Sequence, residues 1–300
     1  MTSPRIVCFG ELLWDVLPSG KVAGGAPFNI VNRANALGAS ATVISSVGQD
    51  DLGTALLDLV AELGNATSYI QTHPDLETSR SIVTISESGE PTYDLLHPVA
   101  WDDIQVNSEV VDLVGSCDAF IYSSLALRDE RSREAMFEVL PHASLTICDI
   151  NLRAGHYTQD TILRMLDQAH ILRANEHELN TICKWLNITE KSWEKKVRSI
   201  YSHYNYQALV TTLGGAGAVC FDGTEFFSQP VFRVDVVDTV GAGDAFLAAF
   251  ITSHLRDNPI QDSLRYGCAV GALTAAKAGG TPQISTAEID AILTSANRHD

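Results

Sequence analysis

The strongest chemical signal in the chain is the run Asp238-Thr239-Val240-Gly241-Ala242-Gly243-Asp244-Ala245-Phe246, a turn of small residues opening into the apolar pattern of Phe246, Leu247, Ala249 and Phe250. Glycines let the backbone come close to a ligand. Successive free N–H groups at a helix start, backed by the positive end of the helix dipole, form an anion site. Such a cradle suits a transferring phosphoryl group, and Asp244 beside it would accept the proton of an attacking hydroxyl. Read blandly, Asp244 is a helix-opening acid and the glycines only a turn, since Gly-rich turns are common in α/β proteins.

A second signal is Gly24-Gly25-Ala26-Pro27-Phe28-Asn29, a paired-glycine turn running into a helix with proline at its start. Asn29 and Asn32 share one face of that helix. Side-chain amides supply both donor and acceptor, so beside an open glycine backbone they suit a polyhydroxylated ligand. The bland reading of Asn29 is a helix-start residue that satisfies local backbone groups. Gly241-x-Gly243-x-x-Phe246 and Gly215-x-Gly217-x-x-Cys220 brush against the dinucleotide fingerprint, but both lack its third glycine and neither lies in the first strand–helix unit. The pattern GxxxxGK[ST] is also absent, so a nucleotide has to be held another way.

Bringing these stretches together requires a scaffold. The apolar pattern switches repeatedly between short continuous runs and a 3.6-residue period, the mark of strands and helices alternating around a largely parallel sheet. Leu52, Ala55, Leu56, Leu59, Val60 and Leu63 form one helix face, with Gly64 as its stop; a second helix runs from Pro27 to a stop at Gly38. Strands are expected at 6–9, 42–47, 119–122, 145–149, 170–173, 209–212 and 218–221. Residues 11–20 and 79–97 break the alternation. In the latter, Ser81-Ile82-Val83-Thr84-Ile85, Ser88-Gly89 and Thr92-Tyr93-Asp94-Leu95 read as an antiparallel hairpin belonging to a small separate sheet. Without internal repeats or a Pro-, Gly- or Ser-rich linker, the expectation is one domain over 1–300 carrying a discontinuous lid formed by about 11–21 and 78–103.

Composition excludes several function classes. Across 300 residues, 37 acidic side chains against 20 basic ones leave a formal charge of −17, so no long-range field gathers nucleic acid or anionic lipid. Any bound phosphate must be held locally. No apolar run is long enough to span a membrane, and the opening Met-Thr-Ser-Pro-Arg reads as neither export signal nor anchor. Six cysteines in apolar contexts without a CxxC pair read as reduced core thiols, which leads to the expectation of a cytoplasmic protein without a zinc site. The histidines show no ligand spacing, and Trp185 with Trp193 reads as helix packing.

Taken together, residues 23–29 through Gly38 and Gly48, followed at long range by 238–244, resemble the N- and C-terminal signatures of the ribokinase-like (pfkB) carbohydrate kinases, over nearly the whole chain. The resemblance implies a three-layer α/β/α sandwich with a mostly parallel sheet and a small β lid, ATP as phosphoryl donor and Mg²⁺. It implies Asp244 as catalytic base, with the amides of Gly241, Ala242 and Gly243 as anion hole. It gives Asp15, Gly24, Gly25 and Asn29 to the sugar. Asn175 and Glu178, in an NxxE pattern, would help place magnesium and phosphates through water. Thr212, Gly214 and Gly217 would run along the nucleotide. Carbonyls around Asp238, Val240, Thr274, Lys277 and Gly279 would bind a monovalent cation such as K⁺.

Within the family the resemblance runs closest to the fructokinases. Asp149-Ile150-Asn151-Leu152-Arg153 resembles their DxNxR motif, with Ile150 where proline is commoner, and 98–102 resembles a segment following their lid. Arg153 would stand near the sugar or the transferred phosphate, its bland alternative being a surface salt bridge. The expected reaction is ATP-dependent phosphorylation of fructose to fructose 6-phosphate. The alternatives are another small acceptor (2-keto-3-deoxygluconate, ribose, a nucleoside), a catalytically silent sugar-binding regulator, and a nicotinamide-binding protein lacking the usual fingerprint. A phosphorylated sugar is disfavoured because residues 79–101 contain a single cation, Arg80. An uncovered edge of the lid hairpin would accept a second copy, giving a homodimer.

Overall fold

A computed structural model describes residues 3–17, 20–85 and 91–296. The Ser88-Gly89 turn lies outside them. The chain starts with β1 (Arg5–Phe9), β2 (Leu13–Leu17), β3 (Gly20–Gly24), α1 (Ala26–Ala36), β4 (Ser40–Gly48), α2 (Asp51–Glu62), β5 (Ile70–His73), β6 (Arg80–Ile85) and β7 (Pro91–Leu95). It continues through α3 (Ser108–Ser116), β8 (Ala119–Ser123), α4 (Glu130–Val139), β9 (Thr146–Asp149), α5 (Gln159–Asp167), β10 (Ile171–Asn175), α6 (Glu176–Trp185) and α7 (Trp193–Tyr204). The last elements are β11 (Ala208–Thr212), β12 (Ala218–Phe221), β13 (Phe226–Gln229), α8 (Ala242–His254), α9 (Ile260–Ala275) and α10 (Thr286–Ala296). Local chemistry sets several ends. Asp50 caps α2 by accepting from Gly53 N at 2.7 Å, and the left-handed Gly38 (φ 80°) and Gly64 (φ 78°) stop α1 and α2 where the sequence places the stops.

Nine strands form one sheet in the order β13-β12-β11-β10-β9-β8-β1-β4-β5. Every pair from β11 to β5 is parallel, and β12 and β13 add an antiparallel edge. Strands covered on both faces are apolar almost throughout. In β1, Ile6 and Cys8 face one helical layer with α1, α2, α8 and α9, while Val7 and Phe9 face the other with α3 to α7. This is the expected three-layer sandwich. Helix α8 is buried along Ala245–Ser253, as its continuous apolar stretch requires. The strand order reverses between β1 and β8, and ligands of open α/β sheets bind outside the carboxyl ends of strands at such a point.

A second sheet, β3-β2-β6-β7, stands apart from the first. Strand β2 runs antiparallel to β3 (Asp15 opposite Val22) and parallel to β6 (Asp15 opposite Ser81), and β6 and β7 form the expected antiparallel hairpin. Its bounds differ from 11–21 and 78–103 at both ends. Gly20–Gly24 adds a strand of its own, and Ala100–Asp103 is a 3₁₀ turn packed in the main core, where Trp101 is fully buried. That turn is anchored by a bidentate pair in which Arg128 Nε and Nη2 each donate to Asp102 at 2.7 Å, with the guanidinium 4.0 Å from the Trp101 ring. Trp185 and Trp193 pack edge-on against Tyr157 and Phe226.

Candidate active site

At the carboxyl ends of the parallel strands, a cavity of about 320 Å³ takes in Glu11 after β1, Leu125 after β8, Asn151 and Arg153 after β9, Asn175 at the end of β10 and the start of α8. Asp15, Ser81 and Leu95 reach it from the second sheet. Its charged walls are therefore Glu11, Asp15 and Asp244 against Arg153 and Arg173.

One end is built from backbone. Gly241 is left-handed (φ 72°), and a Cβ there would meet the Gly280 carbonyl oxygen at 2.2 Å, so only glycine makes this turn. The Ala242 N–H bonds back to Thr239 O at 3.2 Å. The N–H groups of Gly241, Gly243 and Asp244 carry no hydrogen bond among the described residues, so of the expected 241–243 amides Ala242 is already bonded, and Asp244 N adds a further free donor beside Gly241 and Gly243. Gly243 is constrained from below, because a Cβ would lie 2.5 Å from Arg173 Nη2.

Arg173 is the residue that sequence reading missed, taking it merely as the end of a strand. It is 7% exposed. Nη1 donates to the buried Asp149 at 2.9 Å and Nη2 to Thr212 Oγ1 at 3.1 Å, while Arg173 Nε and Asp149 Oδ2 have no hydrogen-bond partner among the described residues. An arginine inside the apolar run Ile171-Leu172-Arg173-Ala174, two positions before Asn175, was the available signal. The same loop explains Ile150, whose N–H donates to Arg173 O at 3.3 Å, a bond proline cannot make.

The other end is built from side chains. Asn29 Nδ2 donates to Asp244 Oδ2 at 2.9 Å across 215 positions of sequence, and its own Oδ1 is buried without a hydrogen-bond partner among the described residues. Enclosure in the cavity and the charge of Asp149 push the Asp244 carboxyl up to about 6, against the pull of Asn29, Arg173 and Arg153. Asp15 is also raised by desolvation, which Arg153 opposes. A Cβ at Gly24 would fall 2.1 Å from Asp15 Oδ2, and one at Gly25 (φ 104°) would fall 2.3 Å from Glu11 O. The paired glycines thus let the carboxyls and the start of α1 close together. Asn32 does not take part: it accepts from Asn65 Nδ2 at 2.9 Å, and Asn65 in turn accepts from Asn35, a network that ties α1 to the end of α2.

The remaining expected residues divide. Asn175 lines the cavity, whereas Glu178 lies behind it, 3% exposed, with its oxygens accepting from Asn175 N at 2.7 Å and Leu152 N at 3.0 Å. Asn175 Oδ1 accepts from Glu178 N at 2.9 Å, closing a capping box that joins the β9 and β10 loops. Thr212 touches Arg173, while Gly214 and Gly217 (φ 54° and 101°) lie beyond it in the β11–β12 turn, outside the cavity lining. Asp238 accepts from Val240 N and Gly279 N, both at 3.0 Å, and Gly280 meets Gly241, so the loop before α8 and the loop after α9 lie side by side. Thr274 O accepts from Lys277 N, and Lys277 Nζ reaches Glu288 at 2.6 Å. Arg80 pairs with Glu77 at 3.0 Å.

The model of the pfkB family carbohydrate kinases matches residues 4–287. A probable fructokinase-3 of Arabidopsis thaliana is 28% identical over 96% of this chain and 90% of its own length. Among solved structures, a fructokinase with bound ATP from Xylella fastidiosa superposes with a TM-score of 0.84 at 23% identity, covering 98% of this chain and 99% of that one. A fructokinase double mutant from Vibrio cholerae, bound to fructose, ADP and a potassium ion, also gives 0.84, at 21% identity over 97% and 99%.

Proposed function

The chain belongs to the pfkB family of carbohydrate kinases, and from that premise we propose that it transfers the γ-phosphoryl group of ATP to a primary hydroxyl of a neutral ketohexose, fructose above others. The observation that carries this reading is Asp244, held by Asn29 beside unbonded N–H groups at the start of α8. With its carboxyl near 6, Asp244 is ionised at neutral pH and close enough to that pH to take a hydroxyl proton well. The Gly241, Gly243 and Asp244 amides and the dipole of α8 hold the oxygens of the transferring group, and Arg173 beneath Gly243 adds a fixed positive charge. Asp15, Gly24, Gly25, Asn29 and Arg153 orient the sugar, and the second sheet acts as the lid that excludes water.

Mg²⁺ bound with the nucleotide would neutralise phosphate charge. Among the described residues no group of three His, Cys, Asp or Glu side chains is arranged to grip a metal directly. Asn175 at the cavity wall, and Glu178 with both oxygens already on N–H groups, fit an ion that keeps most of its water. Thr212, Gly214 and Gly217 would flank the nucleotide. The adjoining loops at Asp238, Val240 and Gly279 would supply carbonyls to K⁺; equal initial rates in potassium and in a large organic cation would remove that role. A homodimer through the uncovered edge of the lid hairpin is part of the same reading, with sedimentation as its check. Among the described residues no helix is long and apolar enough to cross a membrane, and the six buried free thiols suit a reducing, cytoplasmic compartment.

The test is a coupled ADP-release assay with Mg-ATP and a panel of fructose, ribose, 2-keto-3-deoxygluconate, glucose and adenosine. Selective turnover of fructose is expected. Preference for the sugar acid would assign Arg153 to a substrate carboxylate and overturn the neutral acceptor, and absence of turnover on every member would overturn the kinase reading in favour of a sugar-binding regulator.

A further inference from the structure

Glu11 has no role assigned from the sequence, yet it is 2% exposed and lines the same cavity as Asp244 and Asp15. One oxygen, Oε1, accepts from Ala26 N at 3.2 Å, in the first turn of α1. The other, Oε2, is buried and has no hydrogen-bond partner among the described residues. A buried carboxyl oxygen left without a donor is costly, so it signals a missing contact. Neither strand register nor capping demands an acid here, since any acceptor at Oε1 would serve the helix start. The main-chain N–H groups of Glu11 and Ala26 both pull on the carboxyl, but among the described residues none hydrogen-bonds Oε2, and the cavity is where a donor would arrive.

Resting on the kinase reading above, we propose that Glu11 is a specificity-determining residue of the acceptor site, whose Oε2 is completed by a hydroxyl of the bound sugar while Oε1 holds the start of α1. Glu11, Asp15 and Asn29 then present acceptor oxygens from three different elements, a set that recognises a neutral polyol and repels a carboxylate or phosphate on that side. Glu11 also links binding to chemistry, because the helix turn it holds carries Asn29 and, through it, Asp244. Burial pushes the Glu11 carboxyl up to about 7, against the pull of the Glu11 and Ala26 main-chain N–H groups and of Arg153 and with Asp244 reinforcing the shift, so near neutral pH the group can serve a hydroxyl as acceptor or donor.

The test is an enzyme–substrate cycle on the neutral sugar that wild type phosphorylates best, measured by calorimetric binding of that sugar and its monodeoxy analogues to wild type and Glu11→Gln. The amide can still serve Ala26 N–H through its carbonyl but leaves an NH₂ where Oε2 was. Wild type is expected to lose roughly tenfold to a hundredfold in affinity for one deoxy analogue. Glu11→Gln should lose a similar factor for the parent sugar, stop discriminating that analogue and keep wild-type affinity for ATP. Unchanged binding of the parent sugar, or an unchanged deoxy profile, overturns the proposal. A structure of wild type with its sugar bound decides the matter independently of how the variant folds: a sugar oxygen within hydrogen-bond distance of Oε2 supports it, and none there refutes it. A preference for a sugar other than fructose alters the substrate assignment above but leaves this cycle to be run on that sugar.

Discussion

Two buried arginine–aspartate pairs in this molecule differ in completeness. Arg128 and Asp102 share two bonds of 2.7 Å, side chains 3% and 0% exposed, with an aromatic ring beneath the guanidinium. Arg173 and Asp149 share one bond of 2.9 Å, and each keeps an unpartnered polar atom, Nε on one and Oδ2 on the other. The first pair lies under the 3₁₀ turn at 100–103 and closes it into the core; the second lies beneath the α8 N-terminus, with Arg173 on the cavity wall. A closed ion pair has finished its work within the fold, whereas an open one keeps charge available to a ligand. The difference separates two side-chain pairs of the same chemistry into scaffold and site.

Removing the open pair is expected to have the largest kinetic effect. Arg173→Met should lower the kcat of the folded protein by roughly a hundredfold or more, as loss of a fixed charge at a phosphoryl site does, on top of a stability cost from leaving Asp149 buried and unpaired. Arg128→Met should behave in the opposite sense, losing about 3–5 kcal/mol of stability by leaving Asp102 buried and unpaired. Urea unfolding measures that loss, and the folded fraction should retain its kcat. If the folded Arg173→Met variant keeps its kcat, or the folded Arg128→Met variant loses it, the distinction fails.

Smaller effects sharpen the same contrast. Asp244 must be ionised to accept a proton and its carboxyl stands near 6, so log(kcat/KM) should rise with pH below about 6 and level above it. An acid limb at an ordinary aspartate value near 3.8 would contradict that environment. Glu11, raised from 4.5 to about 7, keeps its proton in the folded chain over a window in which the unfolded chain has lost it. Its ionisation therefore costs stability progressively as pH rises from about 4.5 to 7. Glu11→Gln should accordingly gain a few degrees in Tm over wild type between roughly pH 5 and 8, a difference that thermal scans at the two values would detect. The smallest change is Asn107→Ala, which removes the α3 cap on Val110 N and should cost about 1 kcal/mol with kcat unchanged.

The backbone-built end of the site was legible because local sequence dictates it. A left-handed turn at Gly241 against Gly280 and a helix start at Gly243 packed on Arg173 require glycine, and glycine spacing is visible in a sequence. The layered fold was legible for a similar reason, since helix stops such as Gly38 and Gly64 and doubly buried strands such as β1 leave periodic traces. Side-chain contacts made across the fold leave none. Asn29 and Asp244 are 215 positions apart, Asp149 and Arg173 24, and Asp102 and Arg128 26. For that reason Asn32 passed for a ligand residue, Arg173 for a strand end and 100–103 for part of the lid. Glu11 was hidden differently, because only burial distinguishes an orphaned carboxyl from a solvated one.

The most direct measurement is the kinetic and binding comparison of wild type with Asp244→Asn. The amide retains size and polarity beside Asn29 but takes up no proton. If Asp244 is the base, kcat falls by about a thousandfold or more while the dissociation constant for the acceptor sugar stays within a few fold. Turnover within a few fold of wild type would contradict the assignment and move the proton acceptor elsewhere in the cavity.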